Sequence, residues 1–129
     1  KTKTFFNLNY FFPMSYNYIN PEYLLSVAGG DKETVKEIVE MFKAQVREIS
    51  EEMKKLLKEA DYYNLGLLAH KAKSSVAIMG MENLASMLKT FELQAKEGME
   101  TEKYSTYISN YEHDTAEAIV ELEKLINSI

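Results

Sequence analysis

The chain has 129 residues, 46% of them apolar and 27% charged, with no cysteine and a net charge of −5. That length suits one domain with a core of its own, and the lack of cysteine excludes disulfides, thiolate metal sites and cysteine nucleophiles. An acidic chain without a long basic run is a poor nucleic-acid binder, and no apolar run reaches the roughly 18 residues that a bilayer span needs.

The opening, KTKTFFNLNYFFPM, superficially looks like a signal peptide. Asn7 and Asn9 break its apolar stretch and no small-residue cleavage site follows, so that reading is rejected. Met14-Ser15 is one candidate for a native start, with the 13 residues before it added upstream. Residues 1–18 are therefore expected to be an N-terminal extension without a structural assignment, and residues 19–129 one helical domain. Absence of cysteine also fits a reducing compartment, and a cytoplasmic location is expected.

Asn20-Pro21-Glu22 then presents a cap, a first-turn proline and an acidic residue in the order that opens a helix. This short helix should end at Gly29-Gly30, after which Asp31 caps a second. Val35, Ile38, Val39, Phe42, Val46, Ile49, Met53, Leu56 and Ala60 follow at steps of three and four, the mark of one buried stripe on a long amphipathic helix. Asp61 caps a third helix that runs to about Met79, where Gly80 interrupts it. A fourth carries Leu84, Met87, Leu88, Phe91 and Ala95 and ends at Gly98. Thr101 and Glu102 open a fifth, with Tyr104, Tyr107, Ile108, Tyr111, Ala118, Leu122, Leu125 and Ile129 on its stripe.

No alternating strand pattern or internal repeat interrupts this series. The expected fold is all-α: an antiparallel up-down-up-down four-helix bundle with a short additional N-terminal helix. Phe42, Phe91 and Tyr111, at helical spacing, are assigned to packing rather than to a ligand box. Charge is uneven along the chain, with residues 61–80 at +1 and residues 99–129 at −5.

The third helix holds His70, one of only two histidines. With Leu65 at zero and about 100° per residue, Leu68, Ala69, Ala72, Val76 and Met79 fall within about 60° of it and define the buried face. His70 falls at about 140°, beside Gly66, Ala77 and Ser74 at about 100°, 120° and 180°. These small residues form a shallow floor that lets another protein approach the imidazole closely. Leu67 and Ile78 also point outward and offer apolar surface to such a partner. A neutral imidazole is nucleophilic at one ring nitrogen and can attack a phosphoryl group, whose loose transition state is helped by positioning and nearby cations. Lys73 is placed to offer charge, Lys71 less directly, and Ser74 a hydrogen bond.

The run HKAKSSVAIMGMENL from His70 to Leu84 resembles the signature of histidine-containing phosphotransfer (HPt) domains of two-component signalling. Its places are taken by His70, Lys73, Ser74, Ser75, Gly80 and Leu84, with Ser74 standing where glycine is usual. MLKTFELQAKEG, with Glu92, resembles the leucine-rich helix of that family, and LLSVAGGDKETVKEIVEMF resembles its opening. The resemblance covers about residues 18–128 in layout and 65–98 in motif.

It implies a phosphorelay carrier without kinase activity of its own. His70 would be the phosphoacceptor, taking a phosphoryl group from one receiver-domain aspartate and passing it to another. Lys73 and Lys71 would assist electrostatically, while Gly66, Leu67, Ser74, Ala77 and Ile78 would meet the receiver. No cofactor is expected on this chain, Mg²⁺ being supplied by the receiver partner. Partners are receiver domains of response regulators or hybrid sensor kinases, with no nucleic acid, no membrane and a monomeric state expected. The alternative is a non-catalytic helical adaptor, or a degenerate HPt domain that binds a receiver without chemistry. His113 is read as a surface residue. No metal site is expected, since neither a His-Glu-x-x-His nor a Glu-x-x-His pair is present.

Overall fold

The computed structural model describes residues 16–129; the signal-peptide and native-start readings, which concern residues 1–14, lie outside it. Helices α1 (Pro21–Val27), α2 (Lys32–Lys58), α3 (Tyr62–Ile78), α4 (Glu82–Lys96) and α5 (Tyr104–Ser128) follow one another, with a single 3₁₀ turn at Thr101–Lys103 before α5. No strand occurs among the described residues.

The starts follow local chemistry. Asn20 accepts from the backbone N–H of Tyr23 at 3.1 Å, and Asp61 from that of Asn64 at 3.4 Å. Asp31 opens α2 differently: its side chain makes no capping bond to the helix backbone and instead accepts from the Thr34 hydroxyl at 2.6 Å. The stops fall at left-handed residues. Ala60, expected on the buried stripe of α2, lies beyond the helix at φ 54° and is exposed, because ending the helix there removes it from the stripe's register. Glu100 takes φ 59° before the 3₁₀ turn, so α5 begins at Tyr104 rather than Thr101.

Short links force each helix to reverse, and α5 returns to pack against α2, closing a four-helix ring of α2, α3, α4 and α5. The tightest pairing is α3 with α4. Val35, Val39, Phe42, Ile49, Met53, Leu65, Ala69, Val76, Leu88, Phe91, Tyr111 and Leu122 form the centre of one buried core. At one end Phe91, Tyr104, Tyr107 and Tyr62 stack with ring centroids 5.1–5.4 Å apart, which locks the α4–α5 junction onto the start of α3.

The other end is closed by the segment before α1. Asn20 N–H donates to the Met79 carbonyl at 2.9 Å, and Gly80 turns directly beneath it at φ 72°. A Cβ on Gly80 would stand 2.4 Å from Cβ of Asn20, so both the turn and the approach require glycine. Glu121 of α5, also buried, accepts backbone N–H groups of Asn17, Tyr18 and Ile19 at 2.7, 2.9 and 3.0 Å. The packed structure thus already includes Asn17 and Tyr18.

Candidate functional site

His70 lies at the midpoint of α3, where helix ends and their fraying are furthest away. Leu65, Ala69, Ala72 and Val76 are fully buried on the same helix and fix its rotation in the bundle. That rotation brings the imidazole out on the α4 side, with its side chain 56% exposed.

The exposure is one-sided. Nδ1 lies 3.1 Å from both carboxylate oxygens of Glu92, a residue of α4 whose side chain is only 5% exposed. An ionised carboxylate only accepts, so Nδ1 carries the proton and Nε2 holds the lone pair. Nε2 has no hydrogen-bond partner among the described residues, in a side chain that is 56% exposed.

A buried carboxylate needs cations to remain charged. Lys96, one turn further along α4, donates to Glu92 Oε2 at 2.8 Å, and Lys73 of α3 lies 3.6 Å from Oε1. The Lys96 hydrogen bond, followed by that of His70, outweighs the cost of burial and holds the Glu92 carboxyl at about 2, against an ordinary 4.5. The result is a carboxylate fixed in its ionised form under the imidazole.

The small neighbours divide. Ser74 and Ala77 are exposed, and Ser74 Oγ turns back to donate to the His70 carbonyl at 3.3 Å. Gly66 does not share their place. It was expected in the outward floor but is buried against α4, where a Cβ would meet Lys96 Cγ at 2.8 Å and the Glu92 carbonyl at 3.0 Å. Having no side chain, it lets α4 come close, and closeness rather than its angle on the helix decides its burial. Ser75 is buried too and donates to Gln45 of α2 at 3.0 Å.

Leu67 and Ile78 are 44% and 41% exposed, but both lie toward α2. Leu67 shares a shallow hollow with Glu52, Leu56 and Lys71, and Ile78 shares another with Ile38, Met41 and Gln45. Ala77 lines a third hollow with Tyr23 of α1 and Glu82 and Ala85 of α4. His70 therefore stands on a ridge with an apolar shoulder toward α2 and a second recess toward α1. Lys71 sits with Glu48 and Glu52 on the α2 side, apart from the cluster of His70, Lys73, Glu92 and Lys96.

Lys96 was not singled out from the sequence, although a glutamate and a lysine four apart on a helix is a visible pairing signal. His113 has none of this surrounding. It is exposed on α5, its Nδ1 3.0 Å from Asp114 of the same helix. Among the described residues, no cluster of three or more His, Asp or Glu side chains has the makings of a metal site. None of their helices is long and apolar enough to cross a membrane.

The described residues thus form a helical bundle that presents His70 from the middle of α3, backed by a buried carboxylate of α4. A family model described as Hpt domain matches residues 37–128, and the chain belongs to that family. Comparison with curated proteins and with solved structures gives no match. Membership assigns the chain a phosphotransfer-type role in two-component signalling. Hpt domains are carriers rather than catalysts, and they interact with receiver domains.

Proposed function

We propose that the protein relays a phosphoryl group between receiver-domain aspartates through a phosphohistidine at His70. The observation that carries this reading is the paired contact of His70 Nδ1 with Glu92, which leaves Nε2 as the exposed nucleophile. Nε2 attacks the phosphorus of an aspartyl phosphate. The P–N bond forms as the P–O bond to the aspartate breaks, and the aspartate leaves as a carboxylate. Nδ1 keeps its proton, so the phosphorylated ring carries a positive charge that Glu92 faces directly. Return transfer to a second aspartate reverses these bond changes.

The receiver supplies the acidic pocket and Mg²⁺, and this chain contributes the nucleophile and a basic rim. Lys73, with its side chain 25% exposed, offers a cation one turn beyond His70 on α3, while Lys71 adds charge from the α2 side. Leu67, Ser74, Ala77 and Ile78 form the surface that meets the receiver; Gly66 serves it from below by setting the α3–α4 spacing. The carrier acts as a cytoplasmic monomer without kinase activity.

The test mixes the protein with receiver domains phosphorylated by a small phosphodonor and follows acid-labile, alkali-stable label. Label is expected on wild type and on His113→Gln, and none on His70→Gln. A wild-type chain that no receiver from the same organism labels defeats the relay reading and leaves a binding adaptor.

A further inference from the structure

Two lysines and an imidazole N–H share one carboxylate at this site. Glu92 receives Lys96 at 2.8 Å and His70 at 3.1 Å, while Lys73 stops at 3.6 Å, outside hydrogen-bond reach. Lys96 and Lys73 thus stand differently toward the same group, although both are partly exposed lysines.

The difference has a structural origin. The stem of Lys96 lies over Gly66, where the space for a Cβ is already taken by Lys96 Cγ. This seat guides its ammonium back along α4 to Glu92 Oε2. Lys73 comes from α3, the same helix as His70 and one turn beyond it, and its ammonium stops 3.6 Å from the carboxylate, against 2.8 Å for that of Lys96.

We propose that Lys96 is a positioning residue that holds the Glu92 carboxylate to His70 Nδ1, so that Lys73 is released to face the incoming phosphoryl group. The proposal rests on His70 being the phosphoacceptor. It separates two tasks that a single lysine would perform badly. Without Lys96, the buried carboxylate would draw Lys73 inward, since an unpaired buried charge is far costlier than a solvated ammonium. Lys73 would then be withheld from the phosphoryl oxygens, and the carboxylate would turn toward it and away from the imidazole. With Lys96 in place, the groups that face Glu92 are the Lys96 ammonium from its own helix, and the titratable His70 ring and the Lys73 ammonium from α3. Losing Lys73 from this set leaves the hydrogen-bonded pair intact.

Lys96→Met keeps most of the stem over Gly66 and removes the ammonium. Nitrogen chemical shifts of the His70 ring report which nitrogen carries the proton, independently of any receiver. In Lys96→Met the share of the Nδ1–H form should fall, and phosphoryl acceptance from a phosphorylated receiver should slow by about tenfold. Lys96→Arg should restore both to near wild type, and Lys73→Met should slow acceptance while leaving the ring tautomer unmoved. An unchanged tautomer in Lys96→Met overturns the proposal, whatever happens to melting temperature or transfer. So does a shifted tautomer with unchanged transfer, or a tautomer that responds to Lys73→Met as it does to Lys96→Met. If no receiver labels the wild-type chain, the relay reading fails by itself, and the ring shifts still decide whether Lys96 governs Glu92.

Discussion

Two buried glutamates face opposite duties in this bundle. Glu121 is surrounded by three backbone N–H groups of residues 17–19, donors that cannot leave without unfolding the segment. Glu92 is surrounded by side chains only: an imidazole and two lysines, each partly exposed. The first arrangement fastens the chain before α1 to α5. The second keeps a carboxylate charged while its partners remain able to change their own protonation, position or covalent state. The two buried acids thus differ in whether their donors belong to the backbone or to movable side chains.

The contrast is broken most forcefully at Glu121. Glu121→Ala leaves three backbone donors without their acceptor and should lower stability by about 3 kcal/mol, part of the loss being recovered by water. Urea denaturation measures it, and the folded fraction should still accept phosphoryl groups at His70. Equal loss of transfer and stability in that variant would mean that the end closed by Glu121 is coupled to the His70 site.

A smaller effect on folding and a selective one on function is expected around the other glutamate. Ser74 is exposed one turn beyond His70, so Ser74→Leu should change stability by no more than about 0.5 kcal/mol. The added side chain fills the approach to the imidazole and should slow transfer from a receiver at least about tenfold, since close approach of the reacting atoms governs such steps. Unchanged transfer would remove the close-approach argument.

The mildest probe is acid. The Glu92 carboxyl ionises at about 2 in the folded chain and near 4.5 when unfolded, so it releases its proton more readily in the fold. Its contribution is complete above about 4.5 and is lost as the pH falls toward 2. The stability difference between wild type and Glu92→Gln should therefore shrink across that window and stay level above it, as read from denaturation curves at stepped pH. A difference that persists undiminished below that window would assign it to packing rather than to charge.

The five helices, their caps at Asn20 and Asp61, and the outward histidine were legible because each depends on local order: capping residues, left-handed glycines and steps of three and four. Phe42, Phe91 and Tyr111 could be assigned to the core on spacing alone, and all three are buried. Gly66 was misread because a helical wheel measures angle and not the distance to the neighbouring helix. Ala60 was misread because the apolar spacing continues one residue set past the place where the helix stops.

What the sequence by itself determined is the bundle and the exposed imidazole on its third helix, since periodicity and capping are properties of neighbouring residues. Its family signature likewise lies in one continuous run, from His70 to Leu84. Only the tertiary structure decided what stands beneath that imidazole. Glu92 is 22 residues away from His70, and it meets the ring because a glycine brings α4 close against α3. Lys96 enters the site by the same approach, and charge buried between two helices depends on their separation, which no single helix encodes.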